Sequence, residues 1–367
     1  GGPGAEFWMW VIDLFSSATA FVESTLAQLY KRKTQGSFIG GPAYYMKFGL
    51  RKPRMAKLYA VLITVTFCMA YISIQSNTIC AAADKAFGVP PLVMGLILVV
   101  LSKLCVFGGI GRIAKVSSVI VPVMAILYVV LAVVIILMNL RLIPHVFAVI
   151  LSNAFGLQQF AGGTLGATMM NGIKRGLFSN EAGEGSAACA ASIASVSHPV
   201  KQGLVQALSV FTDTLLICSC TAFIILISGV FTTPGLNGVQ LTQMALQSEI
   251  GPIGTQFVAI AIFFFAFSSI IGNYTYGEMN VKFLTARKGW LTFVRVMNGV
   301  VMVFFGSLAS LDLVWSLGDL FMGSITLCNL VAIVKLSPQA CFLLNDYRQQ
   351  KRNGIKSPVF HRSQMPD

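Results

Sequence analysis

Residues 172–192 carry two cations, two carboxylates and four glycines in a chain otherwise built from long apolar runs. They read Gly172-Ile173-Lys174-Arg175-Gly176-Leu177-Phe178-Ser179-Asn180-Glu181-Ala182-Gly183-Glu184-Gly185-Ser186, followed by small residues to Ser192. A continuous membrane helix does not tolerate that mixture against lipid, because each charge near the bilayer centre costs about 2.5–3.5 kcal/mol. Irregular backbone at that depth survives only inside protein or around a water-filled cavity. The segment therefore reads as a broken helix, the device by which a carrier builds a small polar site in the bilayer. A cytoplasmic loop between two ordinary spans is the plainer alternative. It accounts for Lys174 and Arg175 but not for the helix-compatible run Gly185–Ser195.

Composition agrees with a membrane location. Of 367 residues, 56% are hydrophobic and 11% charged, which excludes an ordinary soluble domain. A net charge of +13 would suggest nucleic acid in a soluble protein, but most Lys and Arg sit in short loops, where topology accounts for them. The eight cysteines fall mostly inside apolar runs, and His145, His198 and His361 are isolated. No spacing suits a metal or a disulfide framework, and no nucleophile–base set is visible, so neither an enzyme nor a cofactor is expected. The chain opens in mid-motif without an initiator Met and reads as a fragment whose start is missing.

Charge placement gives a topology of about nine crossings, near 7–30, 58–80, 91–107, 117–139, 160–195, 203–229, 253–275, 290–308 and 314–335. Trp8 and Trp10 read as interfacial anchors. Asp13 and Glu23 are expected to face the bundle and pair with a partner helix. The loop 31–57 carries eight cations and no acid and is placed inside. Residues 140–158 read as an interfacial helix. Of 26 Lys and Arg, only Lys85 and Arg141 fall outside and Lys174 and Arg175 within the broken span; the other 22 are inside or near the inner face. The expected organisation is all-α: a bundle over 1–346 and a basic, mobile cytoplasmic tail over 347–367.

A carrier of a small zwitterion needs free backbone amides for a carboxylate and oxygens for an ammonium and a coupled cation. Ser179–Gly185 offers loosened backbone and a new helix start. Ser268 and Ser269 close an apolar run with adjacent hydroxyls, a donor type that suits a hard cation as well as helix packing. Glu181 and Glu184 are open to three roles: proton carriers, cation ligands, or ion-pair partners of Lys174 and Arg175, with the last the plainest for at least one of them.

The motif over 172–187 resembles the signature of the alanine/glycine:cation symporter family. So do Gly1–Ala5 with Phe7–Trp10, Gly40–Tyr45 and His198–Gln206, and the resemblance covers essentially the whole chain. It implies a LeuT-type fold of two inverted five-helix repeats, with these spans as core helices two to ten and the first core helix absent. It also implies sodium at Ser268 and Ser269, and the helix-six break at Gly183 to Gly185. Substrate would contact Gln75 and Asn77 on core helix three, together with Ser179, Asn180 and Asn273, where many members carry Trp. Lys174, Arg175, Glu181 and Glu184 are assigned to gating or ion pairs. The implied function is sodium-coupled symport of alanine or glycine across the plasma membrane by alternating access. A proton-coupled carrier with Glu181 or Glu184 as relay, or an inactive truncated remnant, is the alternative.

Overall fold

The computed structural model describes residues 2–34, 37–107, 110–156 and 164–361. It opens with α1 (Gly4–Tyr30), a helix built inside out. Glu6, Asp13, Ser16, Glu23, Ser24 and Gln28 are buried, whereas Leu14 and Phe15 are exposed. Spacings of three, four and seven put these polar residues on one stripe, and the stripe faces the other helices rather than lipid. Trp8 and Trp10, both half-buried, lie at its edge. Their indole N–H groups donate to the Ala154 carbonyl and the Ser219 hydroxyl.

A short antiparallel hairpin follows, β1 (Arg32–Thr34) with β2 (Ser37–Ile39), in which Lys33 pairs with Phe38. The all-α expectation misses it. Extended backbone here places the Lys31 ammonium 4.0 Å over the Phe38 ring. Next come α2 (Pro42–Phe48) and α3 (Pro53–Val65), each with proline in its first turn, where a backbone N–H has no helical partner anyway. A π-turn, Thr66–Tyr71, joins α3 to α4 (Ile72–Phe87), which ends on left-handed Gly88.

After α5 (Pro91–Phe107), α6 (Ile110–Met138) and α7 (Ile143–Phe155) come the two pieces of the broken segment, α8 (Thr164–Asn180) and α9 (Ser186–Ile193). The expected start of that segment, residues 160–163, lies outside the described residues. Then α10 (Pro199–Phe211), a π-turn Thr212–Cys218 and α11 (Ser219–Ser228) form one rod. The chain continues through α12 (Val239–Ile250), α13 (Pro252–Leu284), α14 (Lys288–Val303) with a π-turn Phe304–Leu308, and α15 (Leu311–Arg352).

Among the described residues, six helices are long and apolar enough to cross a membrane: Pro53–Phe87, Ser118–Met138, Pro199–Ser228, Pro252–Leu284, Gly289–Leu308 and Leu311–Arg352. The other three expected crossings fall short for separate reasons. The polar stripe dilutes α1, Pro91–Cys105 is apolar but short, and the segment holding α8 and α9 is interrupted. The largest core cluster gathers Leu26, Tyr45, Tyr59, Phe67, Ala188 and Ile325, so side chains of α1, α2, α3, α9 and α15 meet around that interruption.

The tail departs from the mobile segment expected. α15 continues to Arg352, and residues 357–360 fold back onto the link before α10. Phe360 N–H donates to the Ser197 carbonyl at 3.0 Å, the Ser197 hydroxyl to the Pro358 carbonyl at 2.8 Å, and Lys201 to the Ser357 hydroxyl at 2.9 Å. His198 lies beneath, fully buried between Tyr347 and Phe360. Its Nδ1 accepts from the Val200 N–H, so Nε2 carries the proton and faces Asp346 at 3.0 Å.

Burial pushes the imidazole below its usual value, and Asp346 offsets this only in part. Folded His198 stays neutral at pH values where the unfolded chain, titrating near about 6.5, takes up a proton. Its contribution to stability is therefore present above that value and is lost as pH falls towards the folded-state value. Melting of the detergent-purified protein at pH 7.5 and 5.5 will show a steeper acid loss than His198→Gln. Equal slopes would remove His198 as the cause.

Candidate functional site

The break spans residues 181–185. Three of its residues have positive φ: Glu181 at 51°, Gly183 at 84° and Gly185 at 100°. For Glu181 this backbone costs about 1–2 kcal/mol, which surrounding contacts must offset. The polar atoms released by the break are taken up by side chains. The Gly183 N–H donates to Glu23 Oε1 at 3.1 Å, and its carbonyl accepts from Asn329 Nδ2 at 2.9 Å. The same Asn329 nitrogen donates to Glu23 Oε2 at 3.0 Å, while its Oδ1 accepts from the Tyr45 hydroxyl at 2.6 Å. Tyr59 donates to the Glu184 carbonyl, and Tyr71 to Glu184 Oε2 at 2.6 Å. Helices α1, α2, α3 and α15 and the π-turn after α3 thus each send one buried side chain to this latch on five residues of chain. The other carboxylate oxygen, Glu184 Oε1, is buried without a hydrogen-bond partner.

An aromatic layer borders this latch. Tyr71 meets Phe178 with ring centres 5.0 Å apart, and Phe178 meets Trp315 at 4.7 Å. Arg175 lies 4.3 Å over the Trp315 ring and is ion-paired with Asp319, which also takes Lys174 at 3.4 Å. Trp315 forms part of the wall of a cavity of about 560 Å³, together with Asn77, Thr78, Tyr128, Gln240 and Phe265. Residues 235, 237–240 and 242 also line it. A run of three touching rings therefore leads from the wall of a cavity large enough for an amino acid to the latch at Glu184.

The expected site residues separate into groups. Gly183 and Gly185 are at the break, but the backbone of Gly183 is occupied by Glu23 and Asn329 rather than open. Lys174 and Arg175 pair with Asp319 and not with Glu181 or Glu184. They stand one to two turns before the end of α8, and α15 brings Asp319 alongside, whereas Glu181 and Glu184 lie within the break, where the left-handed backbone at Glu181 redirects the chain. Ser179 donates to Asp213, and Asn180 donates to Asp13 Oδ1 at 3.3 Å. Asn77 lines the cavity, yet its amide also caps the carbonyls of Phe305, Gly306 and Ala309. Ser268 and Ser269 both donate to the Phe265 carbonyl, leaving their lone pairs available. Asn273 is buried with an unpartnered Nδ2, and Gln75 is half-buried.

Sequence reasoning missed Tyr45, Tyr59, Tyr71, Trp315 and Asn329, since aromatic residues and amides are ordinary helix-packing residues in a membrane bundle. Asp13 and Glu23 did carry a signal, a charge inside an apolar span, and both indeed meet other helices.

The chain matches the sequence profile described as the sodium:alanine symporter family over residues 1–362. It is 52% identical over 362 residues to the probable sodium/glutamine symporter GlnT of Bacillus subtilis (strain 168), covering 99% of this chain and 75% of that protein. It is 47% identical to the amino-acid carrier protein AlsT of the same organism, covering 100% of this chain and 78% of AlsT. It is 37% identical to the sodium/proton-dependent alanine carrier protein of Bacillus sp. (strain PS3), covering 99% of this chain and 85% of that carrier.

Proposed function

We propose that this chain, which belongs to the sodium:alanine symporter family, couples entry of a small neutral amino acid to sodium by alternating access. Membership of that family makes it a multi-pass membrane symporter and not an enzyme. Alanine or glycine is the substrate we assign, the bilayer is the plasma membrane, and the tail is cytoplasmic. The fold we assign is the LeuT-type inverted repeat, with nine crossings standing for core helices two to ten.

The observation that carries this reading is the latched break. Glu23, Asn329 and Tyr59 hold an amide and two carbonyls that a zwitterion would otherwise grip. Release of those groups would present Gly183, Gly185, Ser179 and Asn180 to substrate, with Gln75, Asn77 and Asn273 around it. Ser268 and Ser269 would hold sodium through hydroxyl oxygen. The pairs of Lys174 and Arg175 with Asp319, beside Trp315, would gate the cavity.

The test is uptake of labelled alanine, glycine and glutamine into liposomes containing the protein. Accumulation under an inward sodium gradient is expected, with Ser268→Ala plus Ser269→Ala raising half-saturating sodium about tenfold, or about 1.4 kcal/mol. Sodium-independent uptake that this double variant leaves unchanged would overturn the reading. A second reading rests on the unpartnered Glu184 Oε1: a proton-coupled carrier in which Glu184 or Glu181 is the relay. Uptake driven by a pH gradient alone and lost in Glu184→Gln would favour it.

A further inference from the structure

A second oxygen-rich cluster lies along α1, away from the latch. Asp13, Ser16 and Ala20 share one helix face, at spacings of three and four. Ala20 packs on Ala182 and Val210, so that face looks into the seam between the broken helix and α10. Asp13 is 0% exposed and Ser16 is 2% exposed. Yet Asp13 Oδ2 and Ser16 Oγ have no hydrogen-bond partner.

Across the seam stand Ser179 and Asn180 at the end of α8 and Asp213 and Thr214 on the π-turn. Asn180 Nδ2 is 3.3 Å from both Asp13 Oδ1 and Thr214 Oγ1, and the Ser179 hydroxyl donates to Asp213 Oδ2. Glu6 and Cys218 are further titratable groups here. Glu6 accepts from Ser219, and Cys218 Sγ lies 3.1 Å from the Ser179 hydroxyl.

Among the described residues, the ion pairs leave this seam without a counter-charge. Lys174 and Arg175, on the same helix as Ser179, are both taken by Asp319, and the other pairs involve Asp346 and Glu278. A carboxylate held in a bilayer without compensation costs several kcal/mol, so each must take a proton or a cation. A proton on Asp13 Oδ2 would have no acceptor within hydrogen-bond reach in this geometry, since Ser16 Oγ makes no bond to it. A hard cation would instead bond Oδ2 directly and use the Ser16 lone pairs. The donor set is oxygen, and no group of three or more His, Cys, Asp or Glu among the described residues could hold a metal ion. A monovalent ion there offsets one of the two carboxylates, and the other keeps a proton.

We propose that Asp13 and Ser16, with Asp213 as second carboxylate, form a sodium site between α1, α8 and the π-turn after α10, separate from Ser268 and Ser269. The proposal rests on the sodium-coupled reading above and adds a second ion to it. The full chain in detergent is melted across a NaCl series, with choline chloride holding ionic strength constant.

Sodium should stabilise the wild type. Asp13→Asn and Asp213→Asn should raise half-saturating sodium at least about tenfold, and Ser16→Ala by a smaller factor. If Asp13→Asn fails to fold, Ser16→Ala decides alone. Wild-type titration in the folded variants, with the response lost only in Ser268→Ala plus Ser269→Ala, would overturn this site and leave the sodium reading standing. No sodium response in the wild type would overturn both. A changed pH profile with unchanged sodium response in Asp13→Asn would mark a proton site and overturn the proposal.

Discussion

Gly185→Ala is expected to abolish transport and most of the folded protein, while Gly183→Ala, two residues away, will be tolerated far better. Both glycines have positive φ, 100° and 84°, so both substitutions carry the left-handed penalty of about 1–2 kcal/mol. Their surroundings differ. A Cβ on Gly185 would collide with the Tyr59 hydroxyl and the Pro42 ring, both fixed in the buried core. Tyr59 cannot retreat without releasing the Glu184 carbonyl. Overpacking of this kind adds about 1–3 kcal/mol, and a released buried carbonyl about 1–3 more. At Gly183 the nearest atom to a new Cβ is a Thr19 methyl at 3.2 Å, the end of a side chain with room to shift by a few tenths of an ångström. Yields of monodisperse protein and melting temperatures of the two variants will rank them. Equal damage would mean that Tyr59 and Pro42 give way more easily than their burial implies.

The position of the break was legible because glycines and charges are costly inside an apolar helix and cheap where that helix opens. The helix ends at Asn180 and restarts at Ser186, inside the motif that marked it. Partnerships across the fold were not legible. Lys174 and Arg175 have Glu181 and Glu184 as near sequence neighbours, but the left-handed turn at Glu181 points the chain into the core and leaves the cations beside α15 and Asp319. Local spacing cannot anticipate that, since it assumes one continuous helix. The tail illustrates the same limit. Residues 347–360 look soluble and mobile by composition, and only the distant Ser197, His198 and Lys201 give them a surface to fold against. α1 is the reverse case. Asp13 and Glu23 announced a buried polar face, and burial confirms the face, but what each carboxylate meets depended on where the broken helix came to rest.

Asn329→Ala is the second change expected to be severe, at about 3–5 kcal/mol. Asn329 is 0% exposed and holds three groups at once: the Gly183 carbonyl, Glu23 Oε2 and the Tyr45 hydroxyl. Truncation leaves a buried carboxylate short of a donor, which is the costly part, and orphans a backbone carbonyl and a phenol as well. Tyr45→Phe removes one donor from the same hub and should cost only about 1 kcal/mol. Glu23→Gln separates charge from connectivity. The amide oxygen it introduces can still accept from the Gly183 N–H, but the new NH2 group would face the Asn329 amide, donor against donor. In the Asn329→Ala background that conflict vanishes, and the neutral amide no longer needs the missing donor. The double variant should therefore be less damaged than the sum of the single variants, with a coupling of about 1–3 kcal/mol. Melting temperatures of the four proteins close the cycle, and alanine uptake by each shows whether the latch also governs transport. Strict additivity would mean that Glu23 and Asn329 act on the break independently, and that the carboxylate is compensated by something other than this amide.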